Sequence, residues 1–180
     1  MRKLGISAVL SLLVTALAAV PALAAGTPVF DPTAVPNGTH VQTGSPSCAF
    51  GPGPQDVTCS AYELAGVGNR NATATLTATY SATIDCRNGG GNIVAVKTGT
   101  FTDTSTTGRL SPKNGRLPIP ELTVTAPSEE EFLAKQRCPN RNWTPEIQEG
   151  TTITLDSSLY TLVFDREGGM PTSLSSTRKQ

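Results

Sequence analysis

The sequence ATATLTATYSATIDC spans residues 72–86 and alternates without interruption between two classes of side chain. The even-numbered residues are small or apolar, from Ala72 through Leu76 and Tyr80 to Cys86, whereas the odd-numbered residues are threonine, serine or aspartate. Successive side chains of a β-strand point to opposite faces of the sheet, so this pattern predicts a long strand with one buried and one solvated face. Cys86 is expected to point into the core.

A second long strand is predicted directly after this one. Residues 88–92 form the turn sequence NGGGN, and Ile93–Thr104 is rich in β-branched residues. The two strands should therefore pair as an antiparallel hairpin. Val94 and Val96 share one face of the second strand and Phe101 lies on the other, which predicts a β-bulge at Gly99.

Shorter elements are predicted around the hairpin. Ser128 and Glu131 have the spacing of a capping box, which favours a short helix over 129–137. Strands are expected at 56–64, at 117–125 as an edge strand because it contains two prolines, and as a final pair at 151–156 and 159–165. Short strands, turn signals and one helix predict an all-β fold, specifically an immunoglobulin-like antiparallel β-sandwich, with a closed barrel as the alternative.

The N-terminus has the features of a secretory signal peptide over residues 1–24. Arg2 and Lys3 precede an apolar run from Leu4 to Val20, and Ala22-Leu23-Ala24 has the small residues of a cleavage site. The remaining chain divides into an extended lead-in at 25–47, with an edge strand near 29–30 or 40–42, a β-sandwich domain at 48–166, and a flexible tail at 167–180. We expect a secreted, extracellular monomer.

The net charge of the predicted mature chain argues against two classes of partner. Loss of Arg2 and Lys3 with the leader leaves 12 basic residues against 14 acidic ones, a net charge of −2. This balance does not favour binding to nucleic acid or to an anionic membrane. We therefore expect neither partner, and no second hydrophobic segment that could anchor the chain.

Four cysteines, Cys48, Cys59, Cys86 and Cys138, follow the leader. An even number in an oxidising compartment predicts two disulfides, for which three connectivities exist. We favour Cys48–Cys59 with Cys86–Cys138, because the first pair brackets a turn-forming stretch that brings its ends together at low entropic cost. The absence of a C-x-x-C spacing argues against a zinc or redox site.

Two short motifs, NGGGN at 88–92 and CPNRNWT at 138–144, resemble those of uncharacterised small secreted proteins of high-GC bacteria. The resemblance extends over roughly residues 48–162. It implies an all-β fold and an extracellular location in a bacterial context. It implies no activity.

Catalytic signals are sparse, so we expect no enzyme activity and no cofactor or metal. His40 is the sole histidine and lies in the polar lead-in. Two carboxylates suffice for a glycosidase, but the candidates Asp85, Glu121, Asp165 and Glu167 have no distinguishing spacing. The run 165–169 combines acidic residues with glycines without the dense alternation of a calcium loop. A small hydrolase is therefore a low-ranking alternative.

The candidate binding residues are threonines and one tryptophan. Thr75 and Thr77 on the first strand, with Thr100 and Thr102 on the second, predict a flat hydroxyl-bearing face, although β-propensity alone also favours threonine there. Trp143 is expected either to pack in the core near a disulfide or to serve as a stacking platform. These features predict a secreted binding module for an extracellular protein or a cell-wall polysaccharide.

A proteinase inhibitor is the alternative from a different class. The loop Gly51–Pro54 lies between Cys48 and Cys59, and Arg116-Leu117 offers a basic residue at a strand. Either segment would have to be presented as a rigid bait loop to a protease.

Overall fold

A computed structural model describes residues 35–51 and 56–165 in full, and residues 172–179 as backbone. Residues 1–34, which include the predicted signal peptide, and residues 52–55, 166–171 and 180 lie outside the described part. The described chain forms strands and one short helix: β1 His40–Gly44, β2 Cys48–Phe50, β3 Val57–Cys59, β4 Tyr62–Ala65, β5 Ala72–Arg87, β6 Ile93–Leu110, β7 Arg116–Ile119, β8 Leu122–Val124, α1 Glu129–Ala134, β9 Thr144–Ile147, β10 Thr154–Phe164 and β11 Thr172–Lys179.

These strands form three antiparallel sheets around one core. The large sheet has the order β11-β10-β5-β6, with β9 pairing with one end of β5. The two small sheets have the orders β1-β4-β7 and β2-β3-β8. The predicted all-β antiparallel class, with one short helix and two disulfides, is confirmed, whereas the immunoglobulin-like strand arrangement stays a prediction.

The core lies on the even-numbered face of β5. Ala72, Leu76, Tyr80, Ile84 and Cys86 are all fully buried there, as their alternation predicts. Side chains from both small sheets and from β10 complete the same hydrophobic cluster. Burial of this continuous apolar face is the main favourable contribution to folding.

Both disulfides have the predicted connectivity. Cys48 and Cys59 are directly opposite each other in the β2–β3 ladder. Cys86 on β5 bonds Cys138, which follows the helix, so this disulfide ties the segment after α1 to the central strand. The second closes the longer loop and therefore removes more conformational entropy from the unfolded chain.

The helix begins with the predicted capping box. Ser128 Oγ accepts a hydrogen bond from the Glu131 backbone N–H, and the Glu131 carboxylate accepts one from the Ser128 N–H. These hydrogen bonds lower the pKa of Glu131. The helix ends at Ala134, earlier than expected, and buries Phe132 against Phe101 of β6 with ring centroids 6.4 Å apart. No helix in the described ranges is long and apolar enough to cross a membrane.

Two strands extend the sheets beyond the predicted domain limits of 48–166. β1 pairs with β4 at the N-terminal side, where an edge strand near 40–42 was expected. β11 pairs with β10 throughout its length, in a region for which a flexible tail was predicted. β11 forms an antiparallel ladder with the strand directly before it, beginning at the pair Phe164 and Thr172, and the polar composition of this segment does not indicate that pairing.

The final strand pair predicted at 151–156 and 159–165 is one continuous strand, β10. Its register against β5 shifts between Leu155 and Ser157, so Asp156 lies in a β-bulge. The bulge moves the buried positions from Ile153 and Leu155 to Ser158, Tyr160 and Leu162. This change of phase produced the false break in the sequence pattern.

Gly99 is not a bulge, contrary to the sequence prediction. It pairs in regular register with Ala82. A Cβ atom at this position would lie 2.6 Å from Gln136 Oε1 and 2.8 Å from Ile84 Cγ1. Glycine is required because the segment after α1 packs directly on β6, and Val94, Val96 and Phe101 follow plain alternation.

The outer edge of β6 is capped at two points. Gln136 Nε2 donates to the Thr100 carbonyl at 2.9 Å, and the Thr104 N–H donates to Asp103 Oδ1 at 2.8 Å. Since the N–H and C=O of one residue point to the same side of an antiparallel strand, the even-numbered residues of β6 present their backbone groups to this edge. Capping of such groups hinders pairing with another chain.

A buried tyrosine pair joins the layers. The hydroxyls of Tyr62 on β4 and Tyr160 on β10 lie 3.1 Å apart. Burial raises the pKa of both phenols, and for Tyr62 the neighbouring Tyr160 raises it further. Burial also raises the pKa of Tyr80 to about 12.

Replacement of Gly99 by alanine should destabilise the protein. The added Cβ would displace Gln136, which would then lose its hydrogen bonds to the Thr100 and Phe132 carbonyls. We expect the free energy of unfolding in urea to fall by about 1–3 kcal/mol. The control is Gly89→Ala, where a Cβ meets no atom within 4 Å, and a loss of similar size there would contradict the packing argument.

The tyrosine pair should make stability fall at alkaline pH. Tyrosine in an unfolded chain titrates at about pH 10, whereas the folded state holds these phenols neutral to higher pH. Their contribution is thus complete below about pH 10 and is lost as pH rises toward the folded-state pKa values. Urea unfolding across this range should show a shallower fall for Tyr62→Phe/Tyr160→Phe than for the wild type, with Tyr80 responsible for part of the remainder. Equal slopes would contradict this assignment.

Candidate functional site

The outward face of the large sheet is lined with hydroxyl groups. On β5 the odd-numbered threonines are half-exposed, and on β6 the even-numbered threonines are exposed. The two rows lie side by side because Thr77 pairs with Thr104 and Thr79 with Thr102. In both pairs the Oγ1 atoms are 3.1 Å apart, within hydrogen-bonding distance.

The four predicted binding threonines lie on this face, but they do not oppose one another. Thr75 pairs with Thr106, and Thr77 with Thr104. Thr100 pairs with Ser81, and Thr102 with Thr79. The predicted pairing of the two strands is therefore confirmed, and its register places each of the four beside a different hydroxyl.

Strand β10 adds a third column that the sequence reasoning missed. Thr161 pairs with Thr75, Ser157 with Thr79, and Thr154 with Ser81, all on the same face. Their alternation within β10 was a usable signal, but the bulge at Asp156 interrupted it. We define the hydroxyl array by its members on the three strands: Thr75, Thr77, Thr79, Ser81 and Thr83 of β5; Thr98, Thr100, Thr102, Thr104 and Thr106 of β6; Thr154, Ser157 and Thr161 of β10.

The spacing of the hydroxyl array follows from sheet geometry. Neighbouring positions on one strand face repeat at about 6.6–6.8 Å, and adjacent strands are about 4.8 Å apart. Leu159 lies within the array opposite Thr77 and is 38% exposed. The surface thus presents methyl and hydroxyl groups in a regular two-dimensional pattern.

Charged side chains flank the hydroxyl array. At one end Arg109 Nε lies 2.8 Å from Asp165 Oδ2. At the other end Arg87 Nε lies 2.6 Å from Glu146 Oε2. Near the middle, Ser81 Oγ donates to Asp156 Oδ1 at 2.6 Å, which fixes the bulge of β10 to the array.

Trp143 does not belong to the hydroxyl array. It precedes β9 and is half-buried against the hydrophobic core, with its backbone N–H donating to the Asn140 carbonyl at 3.0 Å. The neighbouring Thr144 pairs with Arg87 at the far end of β5. Of the two predicted roles, packing describes its environment better than a fully displayed stacking platform.

The described residues considered for hydrolysis are not brought together, and Glu167 lies outside the described part of the chain. His40 is exposed on β1, with Nδ1 2.9 Å from the Gly38 carbonyl. Asp85 is buried and accepts a hydrogen bond from Gln148, Glu121 is exposed, and Asp165 pairs with Arg109. Among the described residues no group of three His, Cys, Asp or Glu side chains could hold a metal ion.

The segment Arg116-Leu117 does not have the form of a protease bait loop. Leu117 is completely buried, and both residues pair with β4 in the ladder of a small sheet. An exposed, extended loop is required to enter a protease, so this part of the inhibitor alternative is wrong. Most of the other candidate, the loop Gly51–Pro54, lies outside the described residues.

One concave feature lies on the β1-β4-β7 sheet, away from the hydroxyl array. It is an open groove of about 590 Å³, lined mainly by apolar groups of Tyr62, Leu110, Pro118, Ile119 and Pro120. Glu63 lies at this groove and forms a 3.3 Å contact with Arg116. The groove has no cluster of reactive groups.

Comparison with known proteins gives no relative: no family model, no curated protein and no solved structure matches the chain.

Replacement of Trp143 by alanine should have a moderate effect on stability. Because the ring is half-buried, we expect a loss of about 2 kcal/mol, below the cost for a fully buried aromatic residue. Urea unfolding of Trp143→Ala and of the milder Trp143→Phe, followed by circular dichroism, would measure this. A fully stable Trp143→Ala variant would contradict the packing role.

Proposed function

We propose that this protein is a secreted, non-enzymatic binding module that attaches to an ordered, uncharged extracellular polysaccharide through the hydroxyl array. The observation that supports this most directly is the alignment of three hydroxyl-bearing strands on one exposed face. The two disulfides support an extracellular location, because such bonds persist in oxidising compartments.

The rigidity of the hydroxyl array favours binding to a repeating surface. Threonine is β-branched and has restricted side-chain rotation, and the pairs Thr77–Thr104 and Thr79–Thr102 are held by hydrogen bonds. A preorganised surface loses little conformational entropy when it binds. Weak contacts that repeat at regular spacing then add up to a useful affinity.

The chemistry of the array favours an uncharged ligand. Its members carry no charge, and the ion pairs Arg109–Asp165 and Arg87–Glu146 flank it as neutral pairs. Asp156, which accepts a hydrogen bond from Ser81, is the carboxylate in direct contact with the array. Methyl and hydroxyl groups complement the C–H and O–H groups that a polysaccharide chain presents. Binding should therefore depend little on salt concentration, unlike binding between charged surfaces.

Lysine substitutions on β6 test this proposal. Thr100 and Thr102 are exposed, so Thr100→Lys/Thr102→Lys should fold normally and lose binding, because the lysines disrupt the contact surface. Binding is measured by pull-down with insoluble cellulose, chitin and cell-wall fractions in low and high salt. We expect at least about a tenfold loss of affinity, which equals about 1.4 kcal/mol.

Thr123→Lys/Thr125→Lys is the matched control, because both residues are exposed and lie on or beside β8, outside the array. It adds the same charge and should bind like the wild type. Extending the variant to Thr75→Lys and Thr77→Lys tests the half-exposed central strand as well. Unchanged binding by the β6 variant, or release of the wild-type protein by salt, would overturn the proposal; retained binding only to a soluble protein would assign a protein partner instead.

A further inference from the structure

The end of the β5–β6 hairpin concentrates exposed aliphatic side chains. Ile93, Val94 and Val96 are 48%, 40% and 56% exposed, and they follow the turn at 88–92 directly. Single exposed aliphatic residues are common on protein surfaces, but a group of them beside one turn indicates a binding surface. We call residues 88–96 the hairpin tip.

The turn within the hairpin tip provides internal partners for four of its five backbone N–H groups. The Asn88 N–H donates to the Asn92 carbonyl at 3.0 Å, and the Gly91 N–H to the Asn88 carbonyl at 2.9 Å. Asn88 Oδ1 accepts from the N–H groups of Gly90 and Asn92 at 3.0 and 3.1 Å. A turn with internal partners for these groups can leave water at lower cost than one with free N–H groups.

Basic residues surround the base of the hairpin tip, whereas residues 88–96 carry no charge. Lys97 Nζ donates to the Arg137 backbone carbonyl at 2.7 Å, so this cation lies against the segment that follows α1. The Arg137 guanidinium donates to the Ala134 and Gln136 carbonyls at the end of that helix. Cys138 is bonded to Cys86, and Thr144 pairs with Arg87, so the segment that contains Arg141 is held at this end of the sheet. Arg87 is neutralised by Glu146, but within the described residues Lys97, Arg137 and Arg141 form no ion pair.

We propose that the hairpin tip inserts into the interfacial region of an anionic lipid bilayer. Its order of groups, an apolar end followed by cations, matches the order of a bilayer, with acyl chains beneath negatively charged headgroups. Trp143 precedes Thr144, which pairs with Arg87, so it lies at the same end of the sheet, half-buried against the core. The net charge of −2 predicted no membrane contact because it averages over the whole chain and conceals this local arrangement.

Vesicle binding tests the proposal independently of the hydroxyl array. We would measure co-sedimentation with vesicles of phosphatidylcholine alone and of equal parts phosphatidylcholine and phosphatidylglycerol. Fluorescence of Trp143, the sole tryptophan, reports insertion by a shift to shorter wavelength. The wild type should bind the anionic vesicles, and Val94→Ser/Val96→Ser should bind at least about tenfold more weakly, because each buried CH₂ contributes to partitioning.

Leu159→Ser is the matched control, since Leu159 is an exposed aliphatic residue about 30 Å from the hairpin tip along β5. It should bind vesicles like the wild type. Thr100→Lys/Thr102→Lys should bind vesicles as tightly as the wild type or more tightly, whatever its effect on polysaccharide binding. Lys97→Gln/Arg141→Gln should remove the preference for anionic lipid.

Three results would overturn the proposal. They are no wild-type binding to either vesicle, equal binding to neutral and anionic vesicles, and unimpaired binding by the folded valine variant. Self-association of the wild type that the serine substitutions abolish, without vesicle binding, would assign the hairpin tip to contact with a second copy of the chain. Sedimentation velocity distinguishes this case.

Discussion

The alternation of residues 72–86 is the constraint on which the rest of the structure depends. Strand β5 pairs with β6 on one side and with β10 and β9 on the other, so it sets the register of the large sheet. Its even-numbered side chains form the core, and its odd-numbered ones form the centre of the hydroxyl array. A shift of one residue would exchange the two faces, exposing Leu76 and Tyr80 while burying threonines without partners. Core packing and the outward surface are therefore fixed together.

Features determined by neighbouring residues were predictable from the sequence. The capping box at Ser128 and the hairpin turn at 88–92 each depend on a few adjacent residues, and both form as expected. The Cys48–Cys59 disulfide was also predictable, because a short turn-forming segment joins the two cysteines. The pairing of the threonine rows followed from the hairpin itself, which leaves little freedom in how β5 and β6 meet.

Features determined by distant contacts were not predictable in the same way. Gly99 is required by Gln136, which is 37 residues away. The Cys86–Cys138 disulfide and the packing of Phe132 on Phe101 tie the segment that contains Gln136 to the large sheet. The bulge at Asp156 reversed the phase of β10 and concealed the third column of the hydroxyl array. In each case the deciding partner is absent from the local sequence.

β-propensity explains why threonine is frequent on the outward face of the large sheet. It does not explain why polar side chains cap the backbone groups at the outer edge of β6. Strand β6 is long and borders the hydroxyl array, and an open edge of this kind tends to recruit another chain. Gln136 caps the Thr100 carbonyl, and Asp103 caps the Thr104 N–H, at the positions that a pairing strand would need. Propensity requires neither cap. Both leave the threonine side chains of β6 exposed while hindering strand addition, so the face of the sheet stays open for the binding that we propose.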